Sequence, residues 1–496
     1  MLSRTCLGGL LAAILSSAVY ATAPGPVSPL APKALLAYTG GSDTVPGPAI
    51  AKSELIAALE GVTAHGLRPS DYHLDLIREH GTEGEMALYA VDAWMSAASH
   101  VAFGKLTPTS VEPDWTAKGR QADLAAHLRD ALASGTLATS LERLAPQHAA
   151  YQTLRTDLET RLQTVQERNA TPIPEGPTLR LNDRGGRVEA LQARLGVAVT
   201  GLFDVATEDE AIRFQSQSGL YADGLVGPAT VRALNRDGSQ AIDQLKVNLE
   251  RWRWLPDELG RRHVRVNIAD FSVQAWAGGQ IERIHAGIVG RRYRETPVFS
   301  DRISYVVLNP WWETPASLAR RDKLPSFQKD PSSVQRLGFQ VLDRNGGVVN
   351  ASTIDWSAIP AGTMPYRIRQ APGPLNALGQ VKIMFPNKHN VYLHDTPTRG
   401  LFAQRQRAFS SGCIRTQDSI DLTEWLLSET EGWDRSRIDG VLETNRETRV
   451  NLKDGVPVHI LYMTAVSDPS GVRFVDDIYD RDAAVLAGLN RRSASR

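Results

Sequence analysis

The chain has 496 residues, more than one hydrophobic core usually organises, so about three domains are expected. Hydrophobic residues make up 42% and charged residues 22%, and Lys plus Arg (55) equal Asp plus Glu (55), so the formal net charge is zero. These values exclude a disordered or polytopic membrane protein and a general polyanion binder, because nucleic-acid affinity rests mostly on excess cations. No nucleic-acid partner is expected.

The first element is a targeting segment. Arg4 is the only charge before Lys33, Leu7 to Val19 is apolar, and Val19-Tyr20-Ala21-Thr22-Ala23 offers small residues to a signal peptidase after Ala21 or Ala23. Residues 1–23 are therefore expected to be a secretory signal peptide. The stretch is short for a spanning helix; if it stays uncleaved, it is the one membrane contact expected. Cys6 leaves with the signal, and Cys413 is then the only cysteine of the mature chain. Such a thiol is either buried and inert or reactive.

Residues 24–48, rich in Pro, Gly, Ser and Ala, predict a linker. Residues 49–170 predict a helical scaffold. Leu55, Ala58 and Leu59 share a face, as do Leu74 and Ile77, Leu88, Val91, Trp94 and Met95, then Leu124, Leu128 and Leu132. Pro172, Pro174, Gly176 and Pro177 break the pattern. Residues 178–238 then predict three short helices. The first carries Val188, Leu191 and Leu195 and stops at Gly196. The second starts at a capping signal, Thr207-Glu208-Asp209-Glu210, and the third at Gly227-Pro228.

Four strings in this unit resemble the peptidoglycan-binding domain of cell-wall enzymes. They are Arg184-Gly185-Gly186-Arg187-Val188-x-x-Leu191-Gln192, Gly201-x-Phe203-Asp204, Thr207-x-x-x-Ala211-Ile212-x-Phe214-Gln215 and Asp223-Gly224-x-Val226-Gly227-Pro228-x-Thr230. The resemblance implies that residues 178–238 bind the glycan strands of the wall.

Residues 245–465 alternate as β-strands do. The runs are Val264–Ile268, Ser272–Trp276, Ser304–Leu308, Gln380–Phe385, Asn390–His394 and Val456–Tyr462, with a hairpin at Gly278-Gly279. Pro457 suggests an edge strand or a strand start. The fold class expected is multidomain α+β: a helical scaffold, a small three-helix domain and a mainly-β, sandwich-like domain. Residues 315–375 interrupt the strands as a cap or lid insertion. Residues 466–496 are a tail with no assignable role.

Cys413 lies in Ser410-Ser411-Gly412-Cys413-Ile414-Arg415, and His394 ends a strand-like run upstream. A thiol needs a base to become a nucleophile, and imidazole can take the proton and return it to a leaving amine. The amides of Gly412 and Cys413 are candidate oxyanion donors, and Arg415 can hold a carboxylate. Tyr392, two positions before His394, is expected on the same side of its strand, as pocket lining or as core. Ser411 and Ser410 are turn residues with candidate site contacts. His389 and His459 are taken as surface or packing residues. No metal-ligand spacing and no phosphate loop is present, so neither a metal nor a cofactor is expected.

Tyr392-x-His394-Asp395-Thr396-Pro397, Leu401-Phe402, Arg407 and Ser410-Ser411-Gly412-Cys413-Ile414-Arg415 together resemble the signature of L,D-transpeptidases, in particular the large periplasmic class of Gram-negative bacteria. Arg251-Trp252-Arg253-Trp254-Leu255-Pro256, Thr296-Pro297-Val298-Phe299-Ser300-Asp301 and Asn309-Pro310-Trp311-Trp312-x-x-Pro315 extend the resemblance. Many members carry histidine where Ser411 stands, whereas the large class commonly has serine. The resemblance implies a periplasmic enzyme whose Cys413 forms a thioester on a tetrapeptide stem, releases D-alanine and passes the stem to the diaminopimelate amine of a second stem. A 3→3 cross-link results. Alternatives left open are an L,D-carboxypeptidase, a lipoprotein-anchoring transferase and a non-catalytic wall-binding scaffold.

Overall fold

The computed structural model describes residues 50–491 except 84–85, 166–171, 219, 236–237 and 469–470. The expected signal peptide and the linker at 24–48 lie outside the described residues. The described residues divide into two compact units: those up to 113, those of 118–257 and those from 463 onward form one, and 114–117 with 258–462 form the other.

The first unit is helical. Its helices include Lys52–Gly61, Leu74–His80, Met86–Phe103, Leu124–Ser134 and Ala149–Val165. Leu55, Leu59, Ile77, Val91, Trp94, Leu128 and Tyr151 are buried, which is the apolar face that the helical spacing predicts. Two boundaries differ from those read in the sequence. The helix Gly238–Arg253 belongs here, not with the strands: the buried Arg253 donates to the His65 carbonyl at 3.0 Å, and Arg251 pairs with Asp482 at 2.6 Å. The tail also folds back on this unit. Ala465–Asp468 pairs with Gly471–Phe474, and Asp482–Asn490 is a helix. Asn248 and Thr464 exchange hydrogen bonds, and the Thr464 hydroxyl donates to Asp482. Amphipathic spacing alone does not say which core a helix joins.

Within this unit, helices Gly186–Leu195, Val205–Gln217 and Pro228–Asn235 enclose Val188, Leu191, Phe203, Ala211, Val226 and Val231. Asp204, not Thr207, caps the second helix, accepting from the Thr207 amide at 2.9 Å. Thr207 is buried because Gln192 donates to its hydroxyl at 3.1 Å. Gln192 and Gln215 form equivalent cages. The Gln192 amide bridges the loop at Thr200–Leu202 to Thr207, and the Gln215 amide bridges the loop at Asp223–Leu225 to Thr230.

The second unit is built on one sheet. Its strands are β1 (Arg262–Asn267), β2 (Ser272–Ala277), β3 (Gln280–Gly290), β4 (Phe299–Leu308), β9 (Val381–Met384), β10 (Leu393–His394), β11 (Ala408–Ser410), β12 (Ile414–Thr416) and β13 (Thr448–Leu461). Their order is β11-β3-β12-β10-β9-β4-β13-β1-β2, and β2 pairs back onto β3. The expected sandwich-like sheet therefore closes on itself as a barrel, which removes most free edges. Val264, Val266, Val273, Ile288, Ile303, Val306, Val381, Ile383, Leu393, Ile414, Val458 and Ile460 are buried as its core. Pro457 is not on an edge strand: β13 lies between β4 and β1. The register with β4 slips between Asn451 and Val456, and pairing with β1 starts only at Val458. Pro457 thus lies just past the slip, opposite Arg302 and before the ladder with β1 begins, where a missing N–H breaks no parallel ladder bond.

The insertion carries its own sheet, β5 (Trp312–Glu313), β6 (Phe339–Leu342), β7 (Val348–Val349) and β8 (Arg367–Gln370), in the order β5-β8-β6-β7. Its core is Trp312, Leu324, Phe327, Phe339, Trp356 and Ile368. Strands of two to four residues show little alternation, so the sequence reads as helix and loop.

Candidate active site

Three short strands place the candidate residues. β10 runs parallel to β12 with Leu393 opposite Ile414 and His394 opposite Arg415, and antiparallel to β9 with His394 opposite Lys382. Opposed residues share a face and alternate residues reverse it. Leu393, Ile414 and Ile383 therefore point into the core. Tyr392, His394, Lys382, Cys413 and Arg415 project from the other face.

His394 is only 5% exposed. Its Nδ1 lies 2.5 Å from the Asp395 carbonyl oxygen. A carbonyl only accepts, so Nδ1 carries the hydrogen and Nε2 keeps its lone pair. The imidazole pKa is lowered to about 3, first by burial and then by the Arg415 charge, against the Asp395 bond and together with Lys382. The ring is neutral at any ordinary pH. Asp395 is fixed in turn: its carboxylate accepts from the Gln380 amide at 2.9 Å, and its amide donates to the Val381 carbonyl at 2.9 Å. Gly379, at φ +60, leaves room for that carboxylate, which a Cβ would strike at 2.2 Å.

Cys413 is half-buried. Its thiol donates weakly to the Asn390 carbonyl at 3.7 Å, and no hydrogen bond joins it to His394 among the described residues. Burial raises the thiol pKa; contacts with Tyr392 and the charges of Lys382 and Arg415 oppose that rise. The Tyr392 ring lies 5.6 Å from the His394 ring, and Lys382 Nζ sits 4.2 Å from the Tyr392 ring centroid. Burial pushes the Tyr392 hydroxyl well above its ordinary pKa, and the neighbouring sulfur adds to this, so it stays protonated.

The turn before Cys413 is tied tightly. The Ser410 hydroxyl donates to the Cys413 carbonyl at 2.6 Å and accepts from the Gly412 amide at 3.1 Å. Thr296 donates to the Gly412 carbonyl at 2.9 Å and accepts from the Gly290 amide at 2.9 Å. Gly412 has φ +114, a conformation that favours glycine. One expectation is overturned here. The Gly412 amide is occupied by Ser410 and does not point at a developing oxyanion, which leaves the Cys413 amide.

Arg415 is half-buried and makes no ion pair or hydrogen bond among the described residues. Its pKa is lowered by burial and then by Arg291, against the pull of Cys413. Ser411 is exposed and accepts from Arg294 Nη1 at 3.1 Å. Arg294 also holds Asp322 of the insertion through two contacts at 2.6 and 2.8 Å. Tyr392 packs against the insertion core. The insertion thus touches the site at two points. Arg407 is structural: it donates to the Gly287, Gln404 and Phe271 carbonyls. His459 bridges Ser300 and the Leu259 carbonyl, and the His389 ring packs tilted against Phe299, so both are packing residues.

Lys382 was not visible as a site residue. Its one signal is a lone cation within an otherwise apolar strand, Val381-Lys382-Ile383-Met384, on the face away from the core. Burial lowers its pKa, while Cys413 and Glu447 oppose this. No cluster of metal-ligating side chains exists among the described residues, and no described helix is long and apolar enough to cross a membrane.

A closed barrel that presents a thiol, a neutral imidazole and unpaired cations on one face, in contact with the insertion through Tyr392, defines a site suited to acyl transfer. Residues 261–460 match the family model of the L,D-transpeptidase catalytic domain, residues 46–158 that of a scaffold domain and residues 184–234 that of a "Putative peptidoglycan binding domain". A Haemophilus influenzae protein named "Putative L,D-transpeptidase" is 37% identical over 253 residues, 51% of this chain and 51% of that relative. The chain thus spans about half the length of the curated relative it matches. Solved structures with local likeness include L,D-transpeptidases of Xylanimonas cellulosilytica and Stackebrandtia nassauensis. The first is 15% identical, with 58% of this chain and 99% of that one covered and a TM-score of 0.17. The second is 12% identical, with 59% and 97% covered and a TM-score of 0.21.

Proposed function

We propose that this chain is an exported L,D-transpeptidase that forms 3→3 cross-links in peptidoglycan. The catalytic-domain match supports the reaction class, and the match at residues 184–234 supports peptidoglycan as substrate. The observation that carries the mechanism is the register of β9, β10 and β12, which gathers Lys382, His394, Cys413 and Arg415 on one face. Cys413 Sγ attacks the carbonyl of the third stem residue, meso-diaminopimelate, while His394 Nε2 takes the thiol proton. The Cys413 amide faces the developing oxyanion. The tetrahedral intermediate collapses to a thioester as His394 returns the proton to the departing amine of D-alanine. The side-chain amine of a second stem then attacks the thioester, gives a proton to His394 and restores the thiol. Water in its place gives a carboxypeptidase. Resting thiol and imidazole need no bond between them, since such contacts tighten when substrate binds. Arg415, unpaired on the same face, receives a substrate carboxylate. Residues 1–23 direct export to the periplasm.

The test is mass spectrometry of products from mature protein and disaccharide-tetrapeptide. D-alanine and a dimer are expected, and Cys413→Ala lowers both by on the order of a thousandfold or more. A Cys413→Ala protein with parental turnover overturns the reading.

A further inference from the structure

One cavity of the second unit is not lined by Cys413. It lies within the insertion, measures about 510 Å³, and is walled by Thr314, Arg320, Arg344, Met364, Tyr366 and Arg367 among others. That volume is ordinary for a ligand of a few residues. No acidic side chain lines it. Arg367 is paired with Glu313 at 2.8 Å, whereas Arg320 and Arg344 have no hydrogen bond or ion pair among the described residues. Thr314 is 7% exposed, and its hydroxyl has no hydrogen-bond partner. A buried hydroxyl left unbonded costs stability unless something arrives to bond it. Met364 and Tyr366 give the cavity an apolar side.

We propose that this cavity is a second peptide subsite, which binds the carboxylates of the acceptor stem. The proposal rests on the transpeptidase reading of the Cys413 face. Guanidinium groups without internal partners suit carboxylates, the apolar side suits the stem's aliphatic chain, and Thr314 offers a further bond. The walls lie on the segments that reach the nucleophile. Thr314 follows Trp312, whose indole contacts Tyr392, and Tyr392 in turn contacts Cys413. Arg320 lies two residues from Asp322, which Arg294 links to Ser411. A two-substrate reaction needs two peptide sites, and these contacts tie the segments that wall this cavity to the neighbours of the nucleophile.

The experiment titrates the full chain carrying Cys413→Ala, which cannot turn over, with soluble stem tetrapeptide followed by calorimetry. Binding to more than one site is expected. Adding Arg320→Gln and Arg344→Gln weakens one of them by about tenfold, and Thr314→Val weakens the same one. Arg336→Gln, elsewhere on the insertion and paired with Asp330, leaves the titration as in the parent. Thermal melts confirm that each variant is folded. A parent that binds no tetrapeptide, or an Arg320/Arg344 variant that titrates like the parent, overturns the proposal. Failure of the transpeptidase reading is seen separately, as absent D-alanine release by the Cys413 protein.

Discussion

A neutral histidine changes how the nucleophile must be activated. With His394 held neutral by burial and by Arg415, a resting thiolate–imidazolium pair is disfavoured. Stabilisation of the sulfur anion then falls to the contacts with Tyr392 and to Lys382 and Arg415, the cations acting on Cys413. Lys382→Met removes one of them. The thiolate becomes less favourable, so the thiol pKa rises and the ascending limb of reactivity moves to higher pH. At neutral pH the rate falls about threefold to tenfold, and Lys382→Arg restores most of it. The pH dependence of Cys413 alkylation by iodoacetamide measures this without substrate. An unchanged limb in Lys382→Met removes Lys382 from the site.

Elements position these residues more than their own sequences do. The insertion is joined to the nucleophile turn by the Arg294–Asp322 pair, which is partly exposed. Breaking such a pair costs stability only about 0–1 kcal/mol, but it frees the insertion from Ser411. Arg294→Asp is expected to cut transpeptidation about tenfold with little change in Tm, and the charge swap Arg294→Asp with Asp322→Arg to recover it. Equal loss in the single and swapped proteins excludes the latch. The cages around Gln192 and Gln215 set the small three-helix domain. Gln192→Ala leaves the Thr200 and Gly201 amides without their acceptor and takes a donor from the Thr207 hydroxyl, which keeps Asp204, at about 2–3 kcal/mol. Sedimentation with insoluble peptidoglycan is expected to fall while turnover of soluble stems persists. Retained sedimentation separates this domain from wall binding.

At the scale of the whole molecule, both units carry buried histidines with lowered pKa. Burial is the first cause for all four: His65 and His100 in one unit, His285 and His394 in the other. His100 is lowered to about 4 and His394 to about 3. The unfolded chain takes up these protons near pH 6.5, and the folded chain only at lower pH, so the unfolded state binds more protons. Stability is complete above about pH 6.5 and declines as pH falls toward 4. Between pH 7.5 and 5, Tm is expected to drop by on the order of 5 °C, measured by calorimetry. A flat Tm across that window contradicts the assignment.

Cys413 and His394 were paired through a resemblance, whereas local patterns were enough to reveal the helical faces at Leu55–Leu59 and Val91–Trp94 and the hairpin at Gly278-Gly279. Each is written in neighbouring residues. The alternation also placed Tyr392 beside His394. Contacts far apart in the chain settled the rest. The side chain facing His394 across β9 is Lys382, which no short-range pattern pairs with it. The occupied Gly412 amide depends on the turn's fold, and Pro457 fits a central strand because the register slips beside it. The segments 238–253 and 466–491 join the helical unit through Arg253, Asn248 and Thr464, whose partners lie hundreds of positions away. Periodicity records which face of an element is apolar; only packing selects the surface that covers it.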